Sequence, residues 1–277
     1  MRVPIVLVLL ALPLAAGARE CRYSADRNFD LDAAGLRTVA LKLGSSDLVL
    51  EGVPGLKRVE VRGKACASDP KWLDELTVRQ ERGGDRLTVT ADNRDRGIHI
   101  SLFGSSYAYL DLHVRVPAAL AAAVDSGSGD VDAGGVASLD FGSGSGDLRA
   151  RNIAGALILR LGSADVEAHD VGSVELRSTG SGDVRVDGVR GDVDVGHSGS
   201  GDLNFAHVGG NVRVESTGSG DVGVSDVGRD VWVGSTGSGD VSASGVRGNF
   251  TVESTGSGDI SYRDIGGKVS VPHVSGD

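Results

Sequence analysis

The residues with the most regular chemistry in this chain are aspartates. A Gly-Ser-Gly-Asp step, or a close variant, places Asp130, Asp147, Asp165, Asp183, Asp202, Asp221, Asp240 and Asp259 at separations of 17 to 19 residues, and Asp277 extends the series. A column of carboxylates can do two things. It can bind a hard cation such as calcium, which takes several oxygen ligands. It can also hold turns, each carboxylate accepting hydrogen bonds from backbone N–H groups at its corner. Calcium-binding β-rolls use a Gly-Gly-x-Gly-x-Asp repeat. Here glycine directly precedes aspartate, so turn holding is the expected role, with no metal ligands and no cofactor assigned.

Other candidate chemistry is sparse. The six histidines, His99, His113, His169, His197, His207 and His273, fall in no metal-binding spacing, and no Gly-x-Ser-x-Gly elbow occurs. Carboxylates are numerous enough to supply a glycosidase-like pair, but catalytic residues are expected to be none. Thr179, Thr217, Thr236 and Thr255 recur in Ser-Thr-Gly-Ser-Gly. They sit singly beside glycine corners, so backbone bonding by their hydroxyls is expected rather than an ice-binding array. Arg190-Gly191-Asp192 matches an integrin tripeptide. Its equivalents, Gly209-Gly210-Asn211, Gly228-Arg229-Asp230 and Arg247-Gly248-Asn249, show a corner that simply favours such residues.

The elements that position these residues are legible in the repeat. In the unit from Asp183, Val184 and Val186 alternate with polar residues, Val189 follows a turn, and Val193 and Val195 alternate again. The same places hold Leu203, Phe205, Val208, Val212 and Val214, and then Val222, Val224, Val227, Val231 and Val233. This is the two-residue period of strands with one buried face. One unit has two short strands and cannot bury its valines alone. Stacked coils can, each rising about 4.8 Å. The sequence therefore predicts an all-β, single-stranded β-solenoid with coils of 18–19 residues, right-handed by the preference of parallel crossovers. Sharp corners account for the 43 glycines, about 15% of the 277 residues and about twice the usual share. Of these, 33 lie after residue 125.

The expected organisation is a signal peptide over 1–18, an N-terminal segment over 19–34, irregular coils over 35–125 and regular coils over 126–277. Arg2, an apolar core over residues 3–14 and the small residues Ala16 and Ala18 are the marks of an export signal. Cys21 follows a charged pair, Arg19-Glu20, which argues against lipidation. In an oxidising compartment Cys21 and Cys66 most simply form a disulfide. No later stretch is long and apolar enough for a transmembrane helix. The chain carries a formal net charge of −10, which disfavours nucleic acid and anionic membranes as partners.

Early alternating strands, a Val-Arg-Val-Pro step at Val114–Pro117 and the run of Gly-Ser-Gly-Asp-Val units behind an export signal together resemble a bacterial family. It is the putative-adhesin family of unknown function with β-strand repeats. The resemblance covers residues 35–277. It implies a β-helical, extracytoplasmic, non-enzymatic protein and transfers no catalytic or ligand residue. The expected function is therefore an adhesin-like scaffold, periplasmic or at the cell surface, binding a protein or glycan. The alternatives are an envelope structural or stress component that binds another protein, and a polysaccharide-active β-helix enzyme. Because Val269 and Val271 close the last coil without a cap, weak end-to-end self-association is also expected.

Overall fold

The computed structural model describes residues 21–92, 99–101 and 104–272. The expected export signal, His273 and Asp277 lie outside them, as does the side chain of His99. The chain is all-β and winds into a solenoid of about eight turns with coils of about 19 residues.

Each regular coil contributes two strands, and each strand pairs in parallel with its equivalent one coil away. Val193–Ser198 pairs with Val212–Thr217, which pairs with Val231–Thr236, which pairs with Phe250–Thr255. Val184–Val189, Leu203–Val208, Val222–Val227 and Val241–Val246 form the second series. Register is in step throughout: Val184 faces Leu203, which faces Val222, which faces Val241. Every apolar column thus becomes a buried ladder between the two series. Val184, Val186, Val193, Val214 and Val222 have no exposed surface. Each buried valine is worth about 1.5–3 kcal/mol relative to exposure, so the core grows by a fixed increment with each coil.

The strands are six residues long rather than the pair of short pieces that the alternation suggests. Val189 does not follow a turn; it ends the strand Val184–Val189. The residue before it, Gly188, has φ of +79°, and this left-handed step carries the strand round so that Val189 faces inward. The same step recurs from coil to coil with Asn152, Asp170, His207, Asp226, Gly245 and Asp264, all at positive φ. These are glycine and the side chains that best tolerate the left-handed region.

The N-terminal third departs from all-parallel winding. Strands Thr38–Gly44 and Leu48–Val53 form a coil on which Ala121–Ser126 and Val131–Gly134 stack directly. On the other side of that coil Arg86–Asp92 stacks in parallel on Thr38–Gly44 and Ala108–Pro117 on Leu48–Val53, and antiparallel strands, the cap, flank this end. Arg58–Ala67 pairs antiparallel with Tyr23–Asp26, Phe29–Asp32 and Ala108–Pro117. Thr77–Gly83 pairs antiparallel with Arg86–Asp92 on the other side. Exposed charges on the outermost strand, Arg79, Glu81 and Arg82, blunt that edge. Cys21 and Cys66 are bonded across a separation of 45 residues, tying the first strand to this cap. At the other end Tyr262 occupies a core column, remains 49% exposed and stacks on Phe250 with ring centroids 5.8 Å apart.

Candidate functional site

The aspartate column is a continuous hydrogen-bonded rail. From Asp130 to Asp240, Oδ1 of each aspartate accepts from the backbone N–H of the aspartate one coil further on, at 2.8–3.0 Å. The donor is therefore on the next coil, not in the aspartate's own turn. Neighbouring corners lie about 4.8 Å apart, within reach of a two-carbon carboxylate side chain. The rail begins one coil earlier than the repeat suggests: Asp47 Oδ1 accepts from Asp130 N at 3.0 Å across 83 residues of sequence. In the sequence Gly44-Ser45-Ser46-Asp47, running into Leu48-Val49-Leu50, reads as a degenerate turn-Asp-strand step, in agreement with this.

Close packing favours glycine before the aspartates from Asp183 onward, whereas Ser46 and Ala164 stand in the same place before Asp47 and Asp165. A Cβ on Gly220 would lie 2.0 Å from the carbonyl oxygen of Gly201 in the coil below. Close approach, not positive φ, sets the residue type there. The neighbouring threonines face inward. Thr179, Thr217 and Thr236 are buried, and each hydroxyl donates to a carbonyl three residues on, at 3.1–3.2 Å. They offer no outward array.

The opposite corner carries a second rail. Asp192 Oδ1 accepts from Asn211 N at 2.7 Å, Asn211 Oδ1 from Asp230 N at 3.3 Å, and Asp230 Oδ1 from Asn249 N at 2.7 Å. The Asn211 and Asn249 side-chain amides donate to the same aspartate oxygens at 3.0 and 3.1 Å. The Arg-Gly-Asp tripeptide lies here with both charged ends engaged. Arg190 donates to the carbonyls of Ile153 and Ala154, and Asp192 belongs to the rail.

Histidines find partners singly. His113 lies 3.4 Å from Glu51, His169 lies 3.4 Å from Glu167, and His197 Nδ1 lies 2.8 Å from Ser216 Oγ on the open outer face. His207 is held between two carboxylates, with Nδ1 2.6 Å from Asp187 and Nε2 3.4 Å from Asp226. The hydrogen bond to Asp187, aided by its charge and that of Asp226, raises the His207 pKa above the usual value. Among the described residues no group of three or more His, Cys, Asp or Glu side chains could hold a metal ion.

One charged cluster lies on the cap, and sequence alone does not single it out. Glu60 is buried and receives Arg58 Nε at 2.6 Å and Arg115 at 2.8 Å, while Arg62 bonds Asp30 at 2.6 Å. Arg58 and Arg62 in turn hold the Glu60 and Asp30 carboxyls below their usual pKa values. The register explains the cluster: Asp30, Glu60 and Arg115 are directly opposed across three strands, contacts that only the antiparallel cap creates.

Two stacked corner rails, two flat outer faces and an antiparallel end cap are the marks against which known families can be compared. The Toastrack DUF4097 family model matches residues 58–244, most of the chain. The chain belongs to the Toastrack DUF4097 family. Several solved structures are similar to it. A putative lipid binding protein from Parabacteroides distasonis ATCC 8503 is 14% identical, with a TM-score of 0.50 over 91% of this chain and 97% of that one. A putative cell adhesion protein from Clostridium sporogenes ATCC 15579 is 12% identical, with a TM-score of 0.33 over 90% of this chain and 100% of that one. A putative adhesin from Bacteroides fragilis NCTC 9343 is 12% identical, with a TM-score of 0.28 over 91% and 98%. At 14% identity the likeness to the first of these shows the fold alone. No curated protein matches the chain.

Proposed function

We propose that this Toastrack protein is a non-enzymatic, exported binding scaffold, adhesin-like in that it engages a cell-surface glycan or protein. One observation carries the reading. The corner and strand backbones are bonded coil to coil, so outward-facing positions recur at every coil on a fixed frame, while the side chains they carry vary. A surface with a short, fixed repeat suits a ligand that is itself repetitive, because adjacent coils can engage adjacent units and gain avidity. The Cys21–Cys66 bond fits an oxidising compartment outside the cytoplasm, and the leader over 1–18 is the means of export. Among the described residues no helix is long and apolar enough to cross a membrane.

The test combines a glycan array with capture from envelope extracts, using the oxidised protein. Retention on a polymer, tighter than on its monomer, is the expected result. Failure to retain any glycan or envelope protein contradicts the reading, as does turnover of an acidic polysaccharide. Fractionation of cells expressing the chain with and without residues 1–18 checks export.

A further inference from the structure

Beside the second rail, three neighbouring coils leave an open notch of about 380 Å³. Its floor is Gly209 and Gly228, which occupy the corner place held by Arg190 and Arg247 in the flanking coils. On one side stand His207 and Asp226, both in the left-handed column that turns side chains outward. On the other stand Arg229 and Arg247.

The two arginines differ from Arg190. Arg190 is folded onto two backbone carbonyls, whereas the exposed side chains of Arg229 and Arg247 make no hydrogen bond or ion pair with another described residue. Each offers a planar fork of N–H donors suited to an oxyanion. Asp226 adds an acceptor within the same notch, and His207 is held in place by Asp187 and Asp226. The apolar side chains at the notch, Val208 and Val227, are buried in the core, so a lipid tail or an apolar peptide would find nothing to cover.

A matching ligand must carry an anion and, next to it, hydroxyl donors for a carboxylate. The volume lies at the small end of the range for ligand pockets, about 300–1,000 Å³. We propose that this notch binds an acidic sugar, a hydroxylated ring bearing a carboxylate or sulfate, with Arg229 and Arg247 holding the anion and Asp226 accepting from the ring hydroxyls. The inference rests on the scaffold reading and names the ligand class and the place.

Calorimetric titration of the whole oxidised chain at low salt tests it, with tetragalacturonate, a heparin-derived tetrasaccharide, neutral cellotetraose and inorganic sulfate as separate probes. At least one acidic tetrasaccharide binds, and cellotetraose and free sulfate do not. The double variant Arg229→Gln, Arg247→Gln weakens that binding at least tenfold, and Arg229→Lys, Arg247→Lys recovers part of it. The pair Arg149→Gln, Arg185→Gln beside the other rail leaves it unchanged. A thermal melt of each variant shows whether it is folded, and the lysine pair preserves the test if the glutamine pair is not. Binding of neither acidic probe overturns the proposal, as does equal binding of cellotetraose or free sulfate, or binding that survives the glutamine pair. If the glycan array retains the wild type and the glutamine pair equally, the notch fails while the scaffold reading stands.

Discussion

At one corner of every coil the stacked side chain is aspartate; at the other it reads Asp192, Asn211, Asp230, Asn249. At both corners Oδ1 accepts the next coil's backbone N–H: at 2.7–3.0 Å where the acceptor is aspartate, and at 3.3 and 2.9 Å where it is Asn211 and Asn249. Asparagine therefore fills the acceptor's place without a charge, through bonds somewhat longer than those Asp192 and Asp230 accept. It also donates its own amide to the aspartate below and separates charges by two coils. Stacked unit charges about 5 Å apart repel by about 1 kcal/mol per pair in water. The bond holds each corner, and at the all-aspartate corner the charge opposes the stacking. Arg149, Glu167 and Arg185 flank the early part of that corner with a net charge of about +1, but Asn204, Gly223 and Ser242 take their place later. Repulsion is thus least compensated around Asp221.

The largest way to break the comparison is steric. Gly220→Ala puts a methyl into the Gly201 carbonyl and is expected to cost about 3 kcal/mol or more, read as a fall in melting temperature. Gly210→Ala places a Cβ 2.2 Å from the Asp192 carboxylate and 2.7 Å from the Gly191 carbonyl, but in a column that already admits Arg229, and is expected to cost less, about 2 kcal/mol. Equal losses would mean that the two corners are equally tight.

Charge comes next. Asp221→Asn is expected to stabilise by about 1 kcal/mol at low ionic strength, and the gain should fade as salt screens the rail. Asp165→Asn, with Arg149 and Arg185 nearby, should gain less. Urea midpoints at low and high salt read both effects.

The smallest expected effect concerns His207. Its folded pKa is raised, so its contribution is fully present below the unfolded value near 6.5 and is lost as pH rises through the higher folded value. His207→Asn keeps a residue tolerant of the left-handed step. The melting gap between wild type and this variant should be wider at acidic than at alkaline pH. A gap independent of pH would place the role of His207 in shape rather than charge.

The solenoid, its apolar columns and the recurrence of the aspartates are legible in the sequence because each repeats with a short period, whereas the coil-to-coil direction of the aspartate bonds is not. Val184, Leu203 and Val222 announce the same place three times over. The left-handed column is written just as regularly, as Asn152, Asp170, Gly188, His207, Asp226, Gly245 and Asp264. Its common trait is a backbone preference rather than polarity, so a hydrophobic pattern passes over it. The alternation of Asp192, Asn211, Asp230 and Asn249 is visible as corner composition, but its meaning depends on which coil supplies the donor. Glu60 and its arginines leave no such trace, because antiparallel pairing across an insertion sets their meeting.

The most direct test of the claim that the bond holds each corner while charge opposes it is a pair of thermal melts at low ionic strength, for Asp221→Asn and Asn211→Asp. Opposite signs are predicted: removing a charge at the first corner raises the melting temperature, and adding one between Asp192 and Asp230 lowers it. A fall in both would contradict the account, because it would mean that the carboxylate charge at Asp221 itself stabilises the stack.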